Sequence, residues 1–443
     1  MLRNSRCNSV GSALAAAGVV LILAGCASGG SSSGSGKPPE TPWQEVKSNK
    51  QRATAPEVEP ADLQKLIADN SAFALALYQA VRETEGNLFF SPYSLSLALA
   101  MTYAGARADT ESQMAAALHF GLPQEKLHPA FNALDLSLPR GKAKTKERQP
   151  TEGFRLHIAN ALWGQTDDQF LPAFLDTLAE NYGAGLQLLD FRADPEAARD
   201  TLNRWVSEQT EKKIQDLFPQ GSITELTRLV LANAIYFNAA WLHPFEAERT
   251  RDGDFHLLDG GKVTVPMMTE TEMLGYAAAE GYQAVELPYA GGDFSMVVML
   301  PAEGQFAQFE QSLDVGRVGA IVSGLQTANV HLTLPKFTYS TRLSLKQTLT
   351  AMGMKDAFVP NVADFSGMAG TRDLFIMDVL HQAYVKVDEA GTEAAAATGV
   401  VVGVTSAPPP PVEVRIDRPF LFVIRHRETG TLLFVGRVVD PTA

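Results

Sequence analysis

Hydrophobic residues follow different periods in the two halves of this chain, and that difference restricts the possible folds more than any other feature. In residues 62–81, apolar side chains such as Leu63, Leu66 and Leu77 recur at helical spacing, which predicts an amphipathic helix. Strand-like runs interleave with the helices and then dominate, at residues 154–162, 228–237, 294–300, 330–334, 381–387, 420–424 and 432–438. Helices early and strands late predict an α+β fold with large, mostly antiparallel sheets.

Two further segments are predicted to be helical. Ser91 offers a side-chain N-cap and Pro92 a first-turn proline, and residues 93–104 are apolar nearly all round. A helix without a polar face is expected to be buried. Residues 195–213 form the other helical segment, with Leu202 among the apolar residues on one side.

Composition excludes two broad classes of protein. Hydrophobic residues make up 45% of the 443 residues and charged residues 20%, a balance typical of a globular protein with a large core, so wholesale disorder is excluded. The formal net charge of −13 and the pI of about 5.2 argue against a nucleic-acid partner, because phosphate binding requires a basic face.

The N-terminus has the pattern of a secretory signal. Arg3 and Arg6 form a short basic region, and the apolar stretch at residues 13–24 is too short to span a bilayer. It ends at Cys26 in a sequence that resembles the bacterial lipobox, Leu23-Ala24-Gly25-Cys26. We therefore predict that residues 1–25 are a lipoprotein signal peptide and that Cys26 carries the lipid. The alternative is an ordinary signal peptide with an incidental cysteine.

The segment after Cys26 is predicted to be a tether. Residues 26–60 are rich in Ser, Gly and Pro and contain almost no large apolar residue, so the folded domain is expected at residues 61–443. A lipid anchor and a spacer place the domain at the membrane of the cell envelope. Ala27 and Ser28 lack the acidic residue that often retains lipoproteins at an inner membrane, which favours the outer membrane, on its periplasmic or its outer face.

The sequence carries no catalytic signature. It has no HExxH motif and no Cys/His cluster with metal-ligand spacing, and no GxSxG elbow stands between a predicted strand and helix. Cys7 would leave with the signal peptide and Cys26 would be acylated, so no thiol remains for nucleophilic, disulfide or metal chemistry. We therefore predict a protein that is not an enzyme and needs no metal or cofactor.

Two segments near the C-terminus resemble signature sequences of the serpin family. The first resembles the serpin hinge and reads Val387-Asp388-Glu389-Ala390-Gly391-Thr392-Glu393-Ala394-Ala395-Ala396-Ala397-Thr398. The second resembles the C-terminal signature and reads Arg415-Ile416-Asp417-Arg418-Pro419-Phe420-Leu421-Phe422. Shorter matches occur in the family's order at residues 87–94, 233–241, 265–268 and 334–337. The resemblance extends from about Ala61 to Pro441.

The resemblance implies one domain of three β-sheets and about nine helices, with an exposed reactive-centre loop between the two signatures. It also implies a monomeric inhibitor that acts as a suicide substrate. A serine protease attacks the loop, forms an acyl-enzyme, and is trapped when the cleaved loop inserts as a new strand into the main sheet. The alternative is a non-inhibitory surface binding protein on the same scaffold.

The loop is physically compatible with insertion. The hinge residues implied by the resemblance are Glu389, Gly391, Thr392, Glu393, Ala394, Ala395, Ala396, Ala397 and Thr398. Alternate residues of a strand face one side, so Thr392 would be the first inward side chain of a series that is small or β-branched throughout. The one charged member of the opposite series, Glu393, lies close to the hinge, so no charge must be buried.

The family spacing places the cleaved bond between Thr405 and Ser406. A shifted register would put Val404 or Val402 before the bond, and all of these residues are small or β-branched. A protease with a small apolar primary pocket, elastase-like or subtilisin-like, is therefore the predicted target, whereas a trypsin-like pocket requires Arg or Lys. Neither occurs between residues 392 and 414.

The resemblance also assigns supporting positions. Ser91, Ser94, Asn233 and His381 match polar residues of the family's shutter, which governs opening of the main sheet, and Trp241 matches the breach, where the hinge enters. A capping serine and ordinary core residues are the alternative interpretation.

A basic cluster interrupts this acidic chain. Its five cationic residues are Arg140, Lys142, Lys144, Lys146 and Arg148. It follows the helix that some serpins use to bind sulfated polysaccharides, so a polyanion site is one hypothesis, and a solvated loop is the other.

Overall fold

The computed structural model describes residues 42–138, 155–392 and 410–443. The predicted signal peptide with Cys26, the basic cluster and the Thr405–Ser406 bond lie outside the described residues. The same holds for the later hinge residues Glu393, Ala394, Ala395, Ala396, Ala397 and Thr398. Within the described residues, no helix is both long and apolar enough to cross a membrane.

Ten α-helices occur in the described residues, and six of them precede residue 210. Their bounds are α1 Pro60–Val81, α2 Pro92–Tyr103, α3 Ala108–Ala117, α4 Gln124–Ser137, α5 Pro172–Tyr182, α6 Pro195–Gln209, α7 Phe306–Gln311, α8 Val315–Ser323, α9 Lys346–Ala351 and α10 Ser366–Ala369. Helix α2 is buried at all 12 positions, as its apolar composition predicts. Helix α6 ends earlier than predicted, because Glu211 and Lys212 have positive φ angles of 49° and 65° and stop the helix.

Sixteen strands occur in the same part of the chain, and twelve follow residue 210, which confirms the predicted order of helices and strands. Their bounds are β1 Gln44–Val46, β2 Leu88–Phe90, β3 Arg155–Gln165, β4 Leu186–Leu189, β5 Leu229–Ala240, β6 Arg251–His256, β7 Lys262–Ala279, β8 Tyr282–Pro288, β9 Phe294–Pro301, β10 Gln326–Pro335, β11 Phe337–Ser344, β12 Ile376–Val387, β13 Gly391–Thr392, β14 Val412–Arg415, β15 Phe420–His426 and β16 Leu432–Val438.

The main sheet has seven strands in the order β1-β4-β3-β5-β13-β12-β11. Strand β5 is antiparallel to β3 but parallel to β12, and β13 enters between β5 and β12 at one end. Parallel neighbours need a long connection, and 135 residues separate the end of β5 from the start of β12. This pair of strands is the part of the fold that positions the candidate site.

The remaining strands form one nine-stranded sheet rather than two separate sheets. Its order is β14-β10-β7-β8-β9-β15-β16-β2, with β6 also paired to β7. The 18-residue strand β7 pairs in succession with β6, β10 and β8. Because β7 is continuous, it connects two groups of strands that the family resemblance implies are separate sheets. The α+β fold class is confirmed, and the difference lies in this one continuous strand.

The prediction of an unstructured tether over residues 26–60 is wrong from Pro42 onward, where the compact unit begins. Trp43 packs edge-on against the buried ring of Trp163 at a centroid distance of 5.6 Å, and β1 pairs with β4. Further along, the Arg52 guanidinium forms a 2.6 Å ion pair with the buried carboxylate of Asp135. These few anchoring residues were not predicted, because the overall composition of the segment is rich in proline.

Candidate functional site

The predicted hinge begins inside the main sheet. Thr392 pairs with Ala239 of β5 on one side and with Val387 of β12 on the other, both in antiparallel register. A few residues further into the sheet, β5 and β12 pair directly, with Tyr236 opposite Tyr384. Strands β5 and β12 therefore separate between these two levels, and β13 lies between them where they are apart. We call this arrangement of β5, β12 and β13 the fork, and the end that holds β13 is its wide end.

Gly391 lets the hinge approach β5 closely. A Cβ atom at this position would lie 2.2 Å from the carbonyl oxygen of Ala239 and 2.7 Å from the Cα of Ala240. Both neighbours are backbone atoms, which cannot move aside without opening the strand pairing. Any side chain at residue 391 would therefore force the hinge away from β5.

Thr392 is fully buried beneath the fork. Its hydroxyl lies 2.8 Å from the hydroxyl of Tyr289, and the ring of Tyr289 stacks on Trp241 with a centroid distance of 4.6 Å and an interplanar angle of 10°. Burial holds the pKa of Tyr289 well above its usual range, so this phenol stays protonated. Below the hinge, Thr392 thus meets one hydroxyl and the stacked rings of Tyr289 and Trp241.

Trp241 holds the turn that leads into the hinge. Its indole Nε1–H donates to the carbonyl of Asp388 at 3.0 Å, and its backbone N–H donates to the carbonyl of Ala390 at 2.9 Å. The structure therefore places Trp241 directly against the entrance of the fork, where the family resemblance puts it.

Glu389 fixes the other side of this turn. Its carboxylate accepts hydrogen bonds from Lys336 Nζ at 2.7 Å and from the Thr250 hydroxyl at 2.8 Å, and its carbonyl accepts from the backbone N–H of Phe245 at 2.9 Å. Partial burial works to raise the pKa of Glu389, but the hydrogen bonds from Lys336, Thr250 and the backbone, together with the charge of Lys336, outweigh it and the pKa is lowered. The charged carboxylate of Glu389 therefore anchors the start of the hinge, whereas Thr392, the residue that enters the sheet, is uncharged.

Polar side chains join three strands of the main sheet beneath the fork. His381, Asn233 and Asn160 lie opposite one another on β12, β5 and β3, and helix α2 with its N-cap residue supplies the other members. We call this group the polar network, and its members are Ser91, Ser94, Asn160, Asn233 and His381. The structure thus brings together the four predicted shutter residues and adds a fifth.

The hydrogen bonds of the polar network assign the tautomer of His381. Its Nε2 accepts from the backbone N–H of Ser91 at 3.1 Å, so the ring proton is on Nδ1, which donates to Oδ1 of Asn233. The amide nitrogen of Asn233 in turn donates to the carbonyl and the hydroxyl of Ser94, each at 2.9 Å. Burial lowers the pKa of His381 to about 3, so the imidazole is neutral at physiological pH.

Acidification is expected to destabilise the fold through His381. Its pKa is about 3 when folded and about 6.5 when unfolded, so the unfolded state takes up the proton first. The contribution of neutral His381 to the free energy of unfolding is complete above pH 6.5. It is lost as the pH falls below this value, by about 2 kcal/mol at pH 5. Urea unfolding midpoints between pH 5 and 7 measure this loss. Because glutamine cannot titrate, the unfolding free energy of His381→Gln should depend on pH less steeply, by up to one proton. A pH dependence equal to that of the wild type would contradict the assignment.

Sequence reasoning missed several residues of the site. Asn160 completes the polar network by accepting from the Ser94 hydroxyl and donating to the Ser94 carbonyl, both at 3.1 Å. Its signal was present, since Asn160 interrupts the apolar run Ile158-Ala159-Asn160-Ala161-Leu162. Tyr289 and Lys336 contact the hinge from distant parts of the chain, and their spacing gives no indication of it.

The family model described as "Serpin (serine protease inhibitor)" matches residues 68–441. The chain is 37% identical over 391 residues to leukocyte elastase inhibitor A of Mus musculus, covering 86% of this chain and all of that protein. It is also 39% identical over 374 residues to an uncharacterized serpin-like protein of Thermococcus kodakarensis, covering 84% of each chain.

Solved structures agree with this result. Tengpin, a thermophilic serpin in its native state, superposes with a TM-score of 0.78 at 28% identity, over 89% of this chain and 97% of its own. Human thyroxine-binding globulin complexed with thyroxine superposes with a TM-score of 0.76 at 31% identity, over 86% of this chain and all of its own. The fork, the polar network and the match over nearly the whole folded domain lead to one conclusion, that this chain belongs to the serpin family of serine protease inhibitors.

Proposed function

We propose that the protein inhibits serine proteases as a suicide substrate, trapping the acyl-enzyme by inserting its cleaved loop between β5 and β12. The observation that carries the proposal is the fork, because Thr392 already pairs with both of these strands. The loop is therefore already positioned to insert. Insertion requires only that β5 and β12 continue to separate, starting from the wide end of the fork.

The register of β13 in the fork predicts which residues of β5 and β12 the inserted loop would pair with. Thr392 pairs with its two neighbours in antiparallel register. Continued for six residues, that register places Thr398 between Asn233 and His381. Insertion must therefore break the hydrogen bond that joins these two side chains across the sheet. Thr398 would bring a hydroxyl to the same point, with an acceptor and a donor to replace those the two side chains lose.

The energy balance favours insertion once the loop is cut. The single parallel pairing of β5 with β12 would be replaced by two antiparallel pairings, one on each side of the new strand. About ten additional backbone hydrogen bonds at about 1 kcal/mol each would release a free energy comparable to the stability of a whole domain. The small inward side chains of the loop allow this without burying a charge.

A covalent complex is the direct test of this mechanism. The protein would be incubated with pancreatic elastase and with subtilisin, and the mixtures separated by denaturing gel electrophoresis. We expect a band of the combined mass, less the released C-terminal peptide, that withstands denaturant. Cleavage without such a band would indicate a substrate, and no cleavage would favour a non-inhibitory binding protein on the serpin scaffold.

We propose elastase-like or subtilisin-like proteases as the target class. The small residues around Thr405 and the similarity to proteins named leukocyte elastase inhibitor support this choice. Thr405→Arg is expected to weaken inhibition of elastase and to create inhibition of trypsin, each by about tenfold or more, because the acidic trypsin pocket selects a cation. Rate constants of inhibition measure both changes, with Thr442→Arg, a surface substitution outside the loop, as the control. Mass spectrometry of the released peptide identifies the bond, and a peptide beginning outside residues 403–406 would sink the assignment.

We propose that lipid on Cys26 holds the domain at the membrane of the cell envelope. The lipobox-like sequence supports this, and a diacyl anchor supplies the hydrophobic energy needed for stable attachment. Cys26→Ser is expected to leave the protein soluble or unprocessed. Phase partitioning in detergent measures the change, with Cys7→Ser as the matched control that keeps the anchor. A Cys26→Ser protein that is still processed and enters the detergent phase would refute the lipid attachment.

A further inference from the structure

A lysine side chain lies across the two strands that loop insertion would separate. Tyr236 of β5 and Tyr384 of β12 are the directly paired residues nearest to the wide end of the fork, and their ring centroids are 6.4 Å apart. The Nζ of Lys213 lies over both rings, 5.8 Å from the centroid of Tyr236 and 5.5 Å from the centroid of Tyr384. One cation therefore contacts both strands at the first level where they pair directly.

The backbone around Lys213 is held in place independently of these two rings. Helix α6 ends at Gln209, and the backbone N–H of Lys213 then donates to the carbonyl of Thr210 at 2.9 Å. The next residue, Ile214, is fully buried, and its backbone N–H donates to the Thr210 hydroxyl at 3.3 Å. The segment that carries Lys213 is thus fixed to the end of helix α6 and to the core beneath it.

Insertion of a strand would move the two rings apart. Neighbouring strands lie about 4.8 Å from each other, so a strand between β5 and β12 would separate Tyr236 from Tyr384 by about that much more. A cation interacts with an aromatic ring within about 6 Å of its centroid, and Lys213 is already close to this limit for both rings. It could therefore keep only one of the two contacts. The register of β13, continued for three residues, would place Ala395 between the two tyrosines.

We propose that Lys213 is a clamp, a positioning residue that holds β5 and β12 together and releases one tyrosine when the loop inserts. This inference rests on the proposed function, because it assigns Lys213 a role in the insertion step. A contact that exists only in the closed sheet shifts the equilibrium toward the closed sheet. Lys213 is exposed, and cation–π contacts at exposed sites are weak, so the clamp opposes insertion without preventing it.

The test measures how tightly the intact protein binds a fluorescently labelled peptide with the sequence of residues 392–404, which would occupy the space between β5 and β12. Lys213→Met keeps most of the length of the side chain and removes the charge. We expect it to bind the peptide about fivefold more tightly, equivalent to about 1 kcal/mol. Lys213→Arg keeps a cation over the rings and should bind as the wild type does. Lys212→Met, which removes the same charge one residue away, is the matched control and should also bind as the wild type does.

A double-mutant cycle distinguishes the clamp from a general effect on stability. In Tyr384→Leu, Lys213 contacts a ring on one strand only, so adding Lys213→Met should change the affinity for the peptide less than twofold. Urea unfolding verifies that each variant is folded, and a scrambled peptide gives the background.

Two results would overturn the clamp and leave the insertion mechanism intact. One is a peptide affinity of Lys213→Met within twofold of the wild type, and the other is an equal effect of Lys213→Met with and without Tyr384. A wild-type protein that does not bind the peptide at all would contradict the insertion mechanism itself, and the clamp with it.

Discussion

Replacing Thr392 with arginine is expected to abolish trapping while leaving the loop cleavable. Thr392 is fully buried against Tyr289, and an unpaired guanidinium in that space costs several kcal/mol. About 3 kcal/mol on the barrier to insertion slows it roughly 100-fold, so hydrolysis of the acyl-enzyme wins. The arginine would also expel the two residues of β13 from the fork, but the direct pairing of β5 with β12 does not depend on them.

The measurement is the number of inhibitor molecules consumed per elastase molecule inhibited. We expect a ratio near one for the wild type and at least tenfold higher for Thr392→Arg. Thr392→Val is the matched control, because it keeps the shape and burial and loses only the hydrogen bond to Tyr289, worth about 1 kcal/mol. An arginine variant that inhibits with the wild-type ratio would falsify the insertion mechanism.

Replacing Asn233 with leucine is expected to lower the free energy of unfolding by about 3–6 kcal/mol. Asn233 is fully buried, and its amide accepts from His381 and donates to Ser94. An isosteric leucine leaves the Nδ1–H of His381 buried without a partner and removes the hydrogen bonds to the carbonyl and the hydroxyl of Ser94, at a cost of about 1–3 kcal/mol for each group. Such a loss is a large fraction of the stability of a typical domain.

Asn238→Leu is the control for this experiment. Asn238 lies on the same strand, is only partly buried, and makes one hydrogen bond, to the hydroxyl of Tyr236 at 3.0 Å. We expect its effect to stay near 1 kcal/mol or below. Urea unfolding followed by tryptophan fluorescence and circular dichroism compares the two variants. Equal destabilisation by both would show that the polar network contributes nothing beyond an ordinary strand position.

The sequence was sufficient to predict the elements whose pattern is local. Helix α2 could be predicted because Ser91, Pro92 and an apolar run occur together, and the cap hydrogen bond from Ser94 N–H to the Ser91 hydroxyl is present at 3.1 Å. The strands at residues 294–300 and 432–438 could be predicted because each is a short, buried, apolar run. The candidate site was found through residues whose order in the chain resembles a known family.

Contacts between distant segments could not be predicted in the same way. Tyr289 meets Thr392 across 103 residues and Lys336 meets Glu389 across 53, and neither spacing carries a periodic signal. Strand β7 was missed because its long run mixes polar and apolar residues to suit three successive partners. The packing of Trp43 was missed because a single anchoring aromatic does not alter the composition of a segment rich in proline and serine.

Strand β1 has a consequence for how the protein meets other chains. An uncovered sheet edge is a template for pairing with a foreign strand, and very short or charged edge strands prevent this. Here β1 covers the edge of β4 with only three residues, and Glu45 within it pairs with Lys47 just beyond. At the opposite edge, β11 turns polar side chains outward, among them Arg342. The short β1 and the polar β11 thus discourage pairing of a foreign strand at the outer edges of the main sheet, so the proposed insertion between β5 and β12 would use the interior of the sheet instead.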